Sequence, residues 1–96
     1  MSHRQLSRTE ETILDALHFV LSYEELQQET RLNTDTLDED LARLIAEGIV
    51  ERLLWNESKK EYLPLELCEP DAVVGKSMQA FHFLATKKGL FLHHSK

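Results

Sequence analysis

The residues able to move protons, attack carbonyls or hold metals are five histidines, one cysteine and a surplus of carboxylates. A thiol becomes a nucleophile beside a base, and Cys68 has no histidine near it in sequence. Its size and polarity predict a small buried or half-buried packing residue. His82, His93 and His94 fall in the last fifteen residues. They read as a lone strand histidine and a frayed tail pair rather than a metal site. His18, beside the apolar stripe of the first helix, reads as a helix–helix packing residue. Gly48, Gly75 and Gly89 are too scattered to form a phosphate-cradling loop, and neither Gly-x-Ser-x-Gly nor His-Glu-x-x-His occurs. The expectation is a protein without catalysis, cofactor, metal or small-molecule ligand.

The carboxylates are the informative groups. Between Thr9 and Glu51 stand twelve acids against two bases, Arg31 and Arg43, which leaves −10, whereas residues 1–8 and 52–96 each carry +2. Such a surface repels a phosphate backbone and attracts cationic partners. The acids are densest around Asp35, Asp38, Glu39 and Asp40.

The elements that hold these groups follow from spacing. Ser7 and Glu10 stand three apart, as do Ser22 and Glu25, and each pair has the form of a capping box that opens a helix. Ile13, Leu14, Leu17, Val20 and Leu21 recur at one helical face, which predicts a first helix running to a sharp turn at Ser22. Leu26 anchors a short second helix. Asn33 or Thr34 caps a third, with Leu37, Leu41, Leu44 and Ile45 inward and Gly48 as its left-handed end. Ile49–Trp55 and Glu61–Leu67 flank the turn residues Glu57, Ser58, Lys59 and Lys60 and predict a β-hairpin, with Leu63, Leu65 and Leu67 on one face. Trp55 and Tyr62 then stand across from each other. Pro64 lacks an N–H, so its strand belongs at an edge. Residues 68–79 read as a loop. Residues 80–86 form a third strand with Phe81 and Phe83 on one face, followed by a terminal strand or a short helix capped by Thr86.

The 96 residues thus make one α+β domain: a helical half over 7–48, a hairpin over 49–67, a loop over 68–79, and a strand with a terminal element over 80–92. No apolar run nears the roughly 18 residues of a membrane span, and the N-terminus lacks a signal peptide's apolar stretch. A single cysteine fits a reducing cytoplasm.

Glu25-Leu26-x-x-x-Thr30-x-Leu32, followed by Leu37, Leu41, Leu44 and Gly48-Ile49-Val50-Glu51-Arg52, resembles the winged helix-turn-helix pattern of bacterial transcriptional regulators. Phe83-Leu84-Ala85-Thr86-Lys87-Lys88-Gly89 resembles the segment that closes the wing there, an aromatic followed by Leu-Thr-x-x-Gly. The likeness covers residues 7–67 and, more loosely, 81–92. It implies a three-helix core with a hairpin wing, and a third helix whose outward face enters the major groove of DNA. Two departures stand out. Arg31 occupies the turn position that commonly holds glycine, which requires a turn without positive φ. The outward face of the third helix displays Asp35, Thr36, Asp38, Glu39, Ala42 and Arg43, where base readers are usually Arg, Lys, Asn or Gln.

Each acid brought beside a phosphate costs roughly 1 kcal/mol or more. Asp35 and Asp38 also suit the positive end of the helix dipole, worth about 0.3–1 kcal/mol each. That explains their tolerance and restores no affinity for DNA. The sequence therefore favours a non-catalytic interaction module. Its third-helix face would meet a protein with a basic surface or solvent, and its hairpin or C-terminal apolar segment would support a homodimer. The competing expectation is a DNA-binding regulator that makes contact mainly through Lys59 and Lys60 at the wing tip, aided by Arg4 and Arg8.

Overall fold

A computed structural model describes residues 5–94, without the side chains of Ala72 and His94. The order is α1 (Arg8–Ala16), β1 (Leu21–Ser22), α2 (Tyr23–Thr30), α3 (Thr34–Ala46), β2 (Val50–Asn56), β3 (Glu61–Pro64), α4 (Pro70–Val73), β4 (His82–Ala85) and α5 (Lys87–His94), with 3-10 turns at Leu65–Leu67 and Met78–Ala80. The architecture is α+β, with an antiparallel sheet in the order β1-β4-β2-β3.

Local chemistry sets the helix ends. Both capping boxes form: the Ser7 and Ser22 hydroxyls accept from the N–H of Glu10 and Glu25, whose carboxylates accept from the serine N–H groups. Asn33 Oδ1 caps α3 by accepting from Thr36 N at 2.8 Å. At the far end of α3, Gly48 N–H donates to Ile45 and Ile49 N–H to Leu44, with Gly48 at φ 75°. This is a Schellman motif, and its left-handed position suits glycine.

The first helix is shorter than its apolar spacing predicts. It ends at Ala16, because Leu17 and Leu21 are taken up by the sheet. Leu17 O accepts from Ala85 N, and Leu21 pairs with Phe83 in a two-residue strand that hydropathy alone did not mark. His18 consequently lies beyond the helix and is exposed, with its ring edge-on to that of His93 in α5.

The hairpin register places Trp55 opposite Tyr62, their rings edge to face at 4.9 Å, and both stay partly exposed. Pro64 lies in the edge strand β3 and closes it. Leu65–Leu67 turns away as a 3-10 segment, so Leu67 is exposed and does not share the inward face of Leu63. The segment predicted as loop contains α4 and the turn at Met78–Ala80. The chain then returns as β4 between β1 and β2, which buries Phe81, Phe83 and Ala85.

Thr86 resolves the terminal element as a helix. Its Oγ1 accepts from Gly89 N and donates to Gly48 O at 2.7 Å, and Lys88 Nζ donates to Glu47 O. Leu90 and Leu92 pack on the core. That core joins Ile13, Leu14 and Leu17 with Leu26, Leu37, Leu41, Leu44 and Phe83, all fully buried, while Ile45 is only partly covered. Among the described residues no helix is long and apolar enough to cross a membrane.

Candidate interaction surface on the third helix

Helix α3 turns Leu37, Leu41 and Leu44 inward, so the opposite face is solvent-facing. Asp35, Asp38, Glu39, Ala42 and Arg43 are exposed there, and Thr36 is half-buried. The acids and the base of this face have different fates.

Arg43 reaches back to the start of α1. Its Nε donates to Glu10 Oε2 at 3.1 Å, and its Nη2 donates to Asp40 Oδ1. Asp40 Oδ2 accepts from the Thr9 hydroxyl. Glu10 and Asp40 are 2% and 4% exposed, so Arg43 supplies the counter-charge to two carboxylates withdrawn from water. The network fastens α3 to α1. Arg43 therefore serves the scaffold, while about half of its side chain stays exposed on the α3 face. The i, i+3 spacing of Asp40 and Arg43 was visible in sequence. Burial of Glu10 beneath the same guanidinium, thirty-three residues away, was not.

Asp38 has another kind of partner. Its Oδ1 accepts from the Tyr23 hydroxyl at 2.6 Å. Burial pushes the Tyr23 pKa up to about 12, helped by the hydrogen bond and charge of Asp38 and by the charge of Asp35. A phenol bond leaves the carboxylate charge in place. Asp35, Asp38 and Glu39 make no ion pair with a cation among the described residues.

Arg31, the remaining base of this half, caps α2 at φ 60° and is exposed. The turn thus adopts the left-handed conformation that a non-glycine residue was expected to avoid. L-residues there cost about 1–2 kcal/mol.

At the hairpin tip, Lys59 and Lys60 are exposed. Lys60 Nζ contacts Glu57 Oε2 at 2.7 Å, and Lys60 also has a left-handed backbone, at φ 54°. Hydrogen bonds from Lys60 and Trp55 hold the Glu57 carboxyl below its ordinary range. With Glu57 and Glu61 beside the two lysines, the tip has no net positive charge. Arg8 is exposed, and Arg4 lies outside the described residues.

The histidines are distributed differently from the sequence expectation. His93 is not frayed: it belongs to α5, and its Nε2 contacts Asp15 Oδ1 at 2.8 Å, with the His18 ring 5.5 Å away. His82 lies against Tyr62 at 4.6 Å. Cys68 is half-buried, its Sγ 3.4 Å from Pro64 O. No cluster of three or more His, Cys, Asp or Glu suited to a metal occurs among the described residues.

Sequence reasoning missed one further feature. A groove of about 370 Å³ opens where the end of α3 meets the start of β2 and the Pro64–Glu66 corner. No family model, curated protein or solved structure matches the chain.

Proposed function

We propose that the chain is a non-catalytic interaction module of winged-helix type, which binds a protein with a basic surface through the exposed acidic face of α3. One observation carries this reading: Asp35, Asp38 and Glu39 face solvent and make no ion pair among the described residues, while the helix's own arginine is committed to Glu10 and Asp40. A phosphate backbone against that face would meet three uncompensated charges, about 3 kcal/mol of repulsion or roughly a hundredfold in affinity. The order of three helices, hairpin and returning strand supports the winged-helix assignment, with β1 completing the sheet beside β4.

The competing reading places DNA on the wing through Lys59 and Lys60. Pairing of Lys60 with Glu57 weakens it. Fluorescence anisotropy with labelled random-sequence duplex DNA at low salt separates the two. The acidic module shows no binding. Tight association that falls steeply with salt refutes it, and loss of that association in Lys59→Glu/Lys60→Glu establishes the wing instead.

A further inference from the structure

The groove at the end of α3 is lined by apolar and charged side chains together. Ile45, Val50, Pro64 and Leu65 supply the apolar lining, and Glu51 and Glu66 the carboxylates. Neither carboxylate makes an ion pair among the described residues. Arg52 also lines the groove, its guanidinium carbon 5.4 Å from the Phe81 ring centroid, so the lining carries two carboxylates and one cation held in a cation–π contact.

The groove is continuous with the acidic face. Asp38, Ala42 and Ile45 stand at i, i+4 and i+7, so one flank of α3 leads from an exposed carboxylate over a small side chain to the groove's apolar wall. A ligand on this track meets negative charge, then apolar surface, then negative charge again. Lysine and arginine suit it: their aliphatic stems cover apolar surface while the cationic head stays near carboxylates and water.

We propose that this groove is the anchor point of the interaction surface and takes a segment of the partner protein in which basic residues alternate with aliphatic ones. The inference rests on the acidic-face reading and adds a position and an apolar requirement to it. A partner held by charge alone would need neither Leu65 nor the corner it belongs to.

A short capped peptide of lysine and leucine tests this, by NMR titration of the isotope-labelled full chain. Matched peptides replace lysine with glutamate or leucine with serine. The lysine–leucine peptide should shift the amides of Ile45, Val50 and Leu65. The glutamate version should not bind, and the serine version should bind about tenfold more weakly, since removing the leucine contacts forfeits most of the apolar part of the affinity. Glu66→Lys lies on an exposed residue and should weaken binding by about tenfold without changing the circular dichroism of the chain. Shifts confined to Asp35 and Glu39 and unaffected by Glu66→Lys would overturn the groove while leaving the acidic-face reading intact. Equal binding of the glutamate peptide at the groove would overturn its cationic specificity. Failure of every peptide to bind, together with tight duplex DNA binding, would remove both.

Discussion

Replacing Arg43 with alanine separates scaffold from interface. The guanidinium donates to Glu10 and Asp40, whose carboxylates are almost wholly withdrawn from solvent, whereas Arg43 itself is about half exposed. Removing one partner of a fully buried pair costs about 3–5 kcal/mol, chiefly because the remaining charge is stranded. Water can reach the Arg43 side of this network and recover part of that loss. Asp40 also keeps the Thr9 hydroxyl, and Glu10 keeps the Ser7 N–H. A loss of about 2–3 kcal/mol is the expected outcome. Urea denaturation followed by circular dichroism measures it as a lower midpoint at constant slope. Arg43→Ala/Glu10→Gln/Asp40→Asn should recover part of the loss, because neutral amides are cheaper to bury than carboxylates that have lost a guanidinium donor. A change below about 0.5 kcal/mol, the size of an ordinary surface substitution, would refute the assignment of Arg43 to the scaffold and return it to the candidate interface.

Three further outcomes follow from individual residues. A Cβ on Gly89 would lie 2.2 Å from the Ile49 carbonyl oxygen, so Gly89→Ala should overpack the α5 contact. Overpacking of about 2–3 kcal/mol, offset by roughly 1 kcal/mol of helix propensity, gives a net loss of about 1–2 kcal/mol in thermal or chemical denaturation. Arg31→Gly should stabilise by about 0.5–1 kcal/mol, as relief of the left-handed backbone exceeds the entropy that glycine adds to the unfolded chain; an unchanged or lower denaturation midpoint contradicts this. Tyr23 should ionise near pH 12, above the ordinary tyrosine value of 10, in an ultraviolet absorbance titration. Because its folded pKa is the higher one, its stabilising contribution is complete below pH 10 and is lost as pH rises towards 12. Tyr23→Phe should remove that alkaline dependence, and its persistence in the variant would assign it to another group.

The helical half was legible because local rules dominate it. Ser7, Ser22, Asn33 and Gly48 mark their own boundaries through side-chain or backbone geometry that acts within four residues. The exposed acids of α3 were legible for the same reason, since Leu37, Leu41 and Leu44 fix which way the helix faces. Errors arose wherever a distant strand made the decision. Leu17 and Leu21 satisfy helical spacing and strand pairing equally well, and β4, some sixty residues on, decides between them. Leu65 and Leu67 continue an alternating pattern, but after Pro64 the chain leaves the sheet.

The same division between near and distant neighbours shapes the surface itself. Sequence counts Arg43 as a positive charge on the third helix. Folding hands that charge to Glu10 on another helix and leaves three carboxylates on display. Arg43 stays about half exposed, but its charge is shared between two buried carboxylates, Glu10 and Asp40, so it does little to offset Asp35, Asp38 and Glu39. A partner responds to the exposed charges and their spacing, which makes the Glu10–Arg43 contact a determinant of recognition even though Arg43 lies in the scaffold. Glu10→Gln would weaken that tether and leave the guanidinium freer to swing towards the α3 face, so cationic ligands should bind the variant more weakly although no residue of the acidic face has been altered.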